Sequence, residues 1–229
     1  MPRYRILLLD ADNTLFDFGR AEEAAISLTL SGAGISPTPE AVSAYSRIND
    51  GLWKALERGE IEKHVLKVRR FELLCEELGI TADAARMAEQ YIEFLSRQTA
   101  LLDGALELCR TLSSYCDLYI VTNGIKSVQE RRFAASLLVP YIKKCFISEE
   151  IGFEKPNVAF FEAVAKEIKD FKKEEVLVVG DSLSSDIQGA VNFGVDSCFL
   201  NPRHLENTKN LPITYVVDSP KDVLPLVLP

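Results

Sequence analysis

Asp10 and Asp12 flank a single alanine in Asp10-Ala11-Asp12-Asn13-Thr14, directly after the apolar run Ile6-Leu7-Leu8-Leu9. Side chains alternate faces along an extended chain, so the two carboxylates point the same way if the strand persists through Ala11. At an effective dielectric near 20, two such charges about 4 Å apart repel by roughly 4 kcal/mol. The pair therefore calls for a cation or a shared proton, and a catalytic site supplies either. An Asp/Asn-rich turn that caps a helix uses the same residue types, so this segment alone does not separate chemistry from punctuation.

Three later segments carry complementary groups. Ile120-Val121-Thr122-Asn123-Gly124 brings a hydroxyl, an amide and a permissive glycine to the end of an apolar run, and Thr122 there is suited to bind a phosphoryl oxygen. Glu154-Lys155-Pro156 sets a lysine before a proline that restricts the backbone and opens a helix; Lys155 supplies charge for a phosphoryl group. Val178-Val179-Gly180-Asp181-Ser182, with Asp186 close behind, brings acids able to hold magnesium. Each segment has its own bland reading as a cap, a turn or a surface lysine. Four such coincidences on the ends of strands that converge on one crevice favour a single site.

The elements that must position these groups follow from periodicity. Apolar runs at Ile6 to Leu9, Leu118 to Val121, Cys145 to Ile147, Val176 to Val179 and Cys198 to Leu200 read as buried parallel strands. Helical patterns at Ala105 to Leu112, Ser127 to Leu137, Val158 to Ile168 and Ser185 to Phe193 lie between the later ones. The alternation predicts an α/β fold, a doubly wound Rossmann-like parallel sheet covered on both faces. An edge strand is expected at Thr214 to Val217 and a last helix near Lys221 to Leu226. Residues 17–98 break the rhythm and read as an inserted, all-helical cap, leaving residues 1–16 plus 99–229 as the core domain. Within the insertion, Thr38 caps a helix starting at Pro39-Glu40, Ile61 to Leu78 forms another closed by Gly79, and Thr81 opens a third. Lys63, Lys67, Arg69 and Arg70 are expected on solvated faces, and Trp53 in the cap's core.

With 229 residues, 47% of them hydrophobic and 26% charged, the chain has the composition of a globular protein that buries a real core. Its net charge of -8 and pI near 5.0 argue against a nucleic-acid polymer as partner. No apolar stretch approaches the ~18 residues of a membrane span, and Met1 to Arg5 carries no cleavage signal, so no membrane partner and a cytoplasmic location are expected. Five scattered cysteines without a C-x-x-C read as reduced, and two distant histidines disfavour a His/Cys zinc site. A metal here should be bound by oxygen.

The order Asp-x-Asp-x-Thr, strand-end Thr122, Lys155 and Gly180-Asp181 with Asp186 resembles the haloacid-dehalogenase superfamily of phosphotransferases, from Arg5 to about Pro202. The insertion after the first motif is similar to its C1 type of cap. Asp10 through Asp17, Thr122-Asn123-Gly124, Ile147 through Gly152 and Lys155-Pro156-Asn157 are similar to the bacterial pyrimidine 5′-nucleotidase branch. Asn13 stands where the wider superfamily commonly has glycine.

The resemblance implies a magnesium-dependent phosphomonoester hydrolase with a small-molecule substrate, in which Asp10 is the nucleophile and Asp12 the acid/base. It further implies that Thr122, Asn123 and Lys155 bind the phosphoryl group, and that Asp10, the backbone carbonyl of Asp12 and Asp181 hold magnesium while Asp186 orients the surrounding shell. The cap is expected to gate the site about hinges near Asp17 to Gly19 and Gln98 to Leu102. Rival readings are a phosphatase for phosphoglycolate or a sugar phosphate, a haloacid dehalogenase, a phosphomutase, and a receiver-like or silent binding protein. A dehalogenase needs neither Asp12's proton nor a metal, and a receiver lacks both the N-terminal Asp-x-Asp and a cap.

Overall fold

A computed structural model describes residues 3–228. Two compact units divide the chain: Met1–Asp17 with Thr99–Pro229, and Phe18–Gln98.

The first unit carries six parallel strands, β1 (Ile6–Leu9), β2 (Asp117–Thr122), β3 (Lys144–Ile147), β4 (Val176–Gly180), β5 (Asp196–Leu200) and β6 (Tyr215–Val217), in the spatial order β3-β2-β1-β4-β5-β6. Strand order reverses at β1, which pairs with β2 on one side and β4 on the other. Ligands of open α/β sheets bind beyond the carboxyl ends at such a switch point. The strands read as continuous apolar runs because both faces are covered. Leu7 and Leu9 face one core with Leu118, Ile120, Leu177 and Val179, while Ile6 and Leu8 face the other with Val121, Phe146, Val176 and Val178.

The second unit is all helical: α1 (Phe18–Gly32), α2 (Pro39–Glu57), α3 (Lys63–Leu78) and α4 (Ala84–Leu95). Thr38 caps α2 as expected, its hydroxyl accepting from Ala41 N at 3.3 Å, and Gly79 closes α3 in the left-handed conformation. Thr81 does not open α4; Asp83 does, its carboxylate accepting from Arg86 N at 3.0 Å. Arg70 departs from the expected solvated face. It is 1% exposed, packed against the rings of Tyr45, Phe71 and Tyr91, and it donates to Asn49 Oδ1 at 3.1 Å. The reason lies in its register: Arg70 stands four residues from both Leu66 and Leu74, on the apolar stripe of α3, where a weakly hydrated planar cation can stack on aromatic faces. Trp53 is not a core residue either; it is half-buried, with the Lys63 ammonium 5.8 Å from its ring centroid.

Back in the first unit, α5 (Ala105–Leu112), α6 (Lys126–Ala134), the single-turn α7 (Ser148–Ile151), α8 (Val158–Glu167), α9 (Gln188–Phe193) and α10 (Leu224–Val227) cover the sheet. The expected helix from Ser185 begins instead as a wide turn over Leu183–Ile187, in which Asp186 N and Ile187 N both bond to Ser182 O. Wide turns of this kind recur where a side chain must be presented, and Asp186 is the one presented here. All five cysteines are free thiols, and no described helix is long and apolar enough to cross a membrane.

Candidate active site

The turn after β1 is built by backbone hydrogen bonds. Asp10 N bonds to Val179 O at 2.9 Å, tying the strand end to β4, while Phe16 N bonds back to Ala11 O at 2.8 Å. The reversal passes through Asn13 at φ 59°, a left-handed conformation that asparagine tolerates better than most residues. This is why an asparagine serves where glycine is common.

Asp10 is 8% exposed, and Lys155, 1% exposed, reaches it from the segment before α8. The Lys155 ammonium donates to Asp10 Oδ1 at 2.7 Å, to Asp186 Oδ1 at 2.6 Å and to the Val121 carbonyl at 2.7 Å. Its three N–H donors thus have three acceptors, so Lys155 serves in this arrangement as the counter-ion of two acids. Carboxylate oxygens of Asp10, Asp181 and Asp186 lie within 4.8 Å of one another. Asp186 is fixed on its second oxygen by Ser182 N at 3.1 Å, and it presses against Gly180, where a Cβ would come within 2.2 Å of its carboxyl carbon.

Three carboxylates against one ammonium leave two negative charges uncompensated. Burial holds Asp10 well above the ordinary carboxylate range although Lys155 pulls the other way, and burial together with the Asp186 charge pushes Asp181 up to about 7. An all-oxygen, doubly negative cluster suits a hard divalent cation such as magnesium.

Thr122 is 2% exposed at the end of β2, with its hydroxyl accepting from Gly124 N at 3.0 Å. Asn123 grips the backbone of Lys155 from both sides: its Nδ2 donates to Lys155 O at 2.8 Å and its Oδ1 accepts from Lys155 N at 2.9 Å. The amide is therefore committed to presenting Lys155. Each site residue read from the sequence belongs to the first unit; Lys155 joins Asp10 and Asp186 directly, and a carboxylate oxygen of Asp181 lies within 4.8 Å of both acids.

Two residues that the sequence reading passed over complete the arrangement. Asp12 accepts from Gln129 Nε2 on Oδ2 at 2.6 Å and from Arg132 Nη1 on Oδ1 at 2.5 Å. Both donors come from α6, which was read only as cover for the sheet. The available signal was the three-residue spacing of Gln129 and Arg132, which puts them on one helix face just after the Thr-Asn-Gly turn.

Known proteins resemble this chain over nearly its whole length. The chain is 40% identical over 222 residues to the pyrimidine 5′-nucleotidase PynA of Streptococcus pneumoniae, covering 96% of this chain and 94% of that protein. It is 30% identical to the pyrimidine 5′-nucleotidase YjjG of Escherichia coli, with 93% of each chain covered. The crystal structure of the HAD-hydrolase YfnB of Bacillus subtilis, bound to magnesium, superimposes with a TM-score of 0.94 at 38% identity over 98% of both chains. Residues 4–194 match the haloacid dehalogenase-like hydrolases, and the chain belongs to that family.

Proposed function

We propose that this hydrolase is a magnesium-dependent phosphomonoesterase that works through an aspartyl phosphate on Asp10 and takes pyrimidine nucleoside 5′-monophosphates. The observation that carries the chemistry is the Lys155 ammonium set between Asp10 and Asp186 beside Asp181. The substrate class rests on the likeness to PynA and YjjG.

Asp10 attacks phosphorus through a carboxylate oxygen as the bond to the leaving oxygen breaks, and Asp12 gives its proton to that oxygen. Asp12, now a carboxylate, takes a proton from water whose oxygen attacks phosphorus; the bond between phosphorus and Asp10 breaks, and inorganic phosphate departs with both acids restored. Asp10, Asp181 and the Asp12 carbonyl would hold magnesium, whose charge would let an anionic substrate approach an anionic nucleophile. Lys155 orients Asp10 and Asp186 throughout, and the Thr122 hydroxyl donates to a phosphoryl oxygen. A haloacid dehalogenase uses an aspartate nucleophile as well, but it has no use for Asp12's proton.

The test is phosphate release from nucleoside monophosphates, sugar phosphates and phosphoglycolate, with magnesium or with a chelator, by wild type and Asp10→Asn. Magnesium-dependent preference for UMP, dUMP or dTMP, lost in Asp10→Asn, is expected. Preference for a sugar phosphate or phosphoglycolate would discard the substrate, and wild-type turnover in Asp10→Asn would overturn the nucleophile.

A further inference from the structure

The acid/base of the proposed reaction is not a free side chain. Asp12 retains 24% of its side-chain exposure, yet each of its oxygens receives a donor from a residue that is almost wholly buried: Gln129 is 3% exposed and Arg132 0%. Arg132 is itself held, its guanidinium carbon 4.6 Å from the centroid of the Phe16 ring at the far end of the turn that begins with Asp10. Gln129 reaches Asp12 through space that only a glycine leaves open, because a Cβ on Gly124 would lie 2.2 Å from Gln129 Nε2. Two donors on separate oxygens fix the plane of a carboxyl group, and one more lone pair per oxygen remains for chemistry. A proton-transfer group must lie within hydrogen-bond reach of its partner atom, and misplacement by an ångström is expensive.

We propose that Gln129 and Arg132 are positioning residues for the leaving-group step, clamping the Asp12 carboxyl so that its free edge meets the departing oxygen. This rests on the phosphomonoesterase reading above. It assigns α6 a part in the reaction rather than in sheet cover alone, and it makes Gly124 part of the same device.

The readout is dependence on the leaving group. A nucleoside alkoxide needs a proton as it departs, whereas p-nitrophenolate leaves without one. The value of kcat/KM reports steps through the first irreversible one, here transfer to Asp10. Gln129→Met keeps the length and bulk of the side chain, deletes the donor, and leaves the Arg132 ion pair in place. The variant should lose roughly 10- to 100-fold in kcat/KM for UMP and no more than about threefold for p-nitrophenyl phosphate. Its kcat should fall for both esters, since hydrolysis of the aspartyl phosphate also needs Asp12. Arg132→Met should show the same selective loss and Arg132→Lys should recover part of it; if the arginine variants fail to fold, Gln129→Met carries the test, with thermal unfolding as its control. An equal fall for both esters, or no fall for UMP, would overturn the clamp while leaving the phosphatase standing. Absence of phosphate release by the wild type from either ester would overturn the phosphatase reading and the clamp with it.

Discussion

Replacing Lys155 by methionine should cost stability as well as catalysis. The ammonium has 1% exposure and bonds at 2.6–2.7 Å to two carboxylates and one carbonyl. Methionine fills the volume and leaves Asp10 and Asp186 facing each other without a cation. Removing one partner of a buried ion pair costs about 3–5 kcal/mol. For a chain of this size that corresponds to roughly 6–20 °C in Tm. The sign with pH follows. Asp10 is already held above 3.8 by burial, and the variant removes the Lys155 charge that lowers it, so its folded state keeps the proton to higher pH than wild type and its stability falls further as pH rises. Thermal unfolding of wild type and Lys155→Met across this range should give a gap that is small in acid and widest at neutral pH, and magnesium should narrow it. A Tm within about 3 °C of wild type at pH 7 would refute the reasoning.

Gly180→Ala places a Cβ 2.2 Å from the Asp186 carboxyl, so it should displace that acid from Lys155, destabilise the protein by about 1–3 kcal/mol and depress phosphate release; wild-type values in unfolding and turnover assays would contradict this. In the cap, burial raises Glu22 above its ordinary value of 4.5 although Ser46 Oγ at 2.6 Å and Asn49 Nδ2 at 2.8 Å both donate to it. The folded state therefore holds the proton more tightly, and the wild type loses stability as pH rises through 4.5. Glu22→Gln escapes that loss, so its Tm advantage should grow with pH; a constant or shrinking difference would sink the argument.

What the sequence made legible was whatever depends on local pattern. The strands were readable because a sheet covered on both faces demands unbroken apolar runs, and β1 and β4 ended where Asp10 and Asp181 said they should. Boundaries failed where tertiary bonds overrode periodicity, as at the wide turn that delivers Asp186. Arg70 was misread because charge was weighed above register: its place on the apolar stripe of α3 was visible, but the three rings that receive it come from α2, α3 and α4 together. Gln129 and Arg132 were missed for a related reason, since nothing local says that a polar pair on one helix meets a carboxylate more than a hundred residues away.

The tripeptide Thr122-Asn123-Gly124 shows how much a short motif can hide. Its first two residues are expected from the sequence to bind phosphate, and its third is a glycine that permits the turn. In the fold, Thr122 receives the Gly124 amide, Asn123 grips Lys155 by both backbone groups, and Gly124 leaves room for Gln129 to reach Asp12. One turn thus sets the counter-ion of the proposed nucleophile and the donor to the proposed acid/base. The two halves of the site are coupled through three consecutive residues, so substitutions at Asn123 and Gly124 should act on different chemical steps despite being neighbours in the chain. Loss of Asn123 works through Lys155 and should slow every ester alike. Crowding at Gly124 works through Asp12 and should slow those with poor leaving groups.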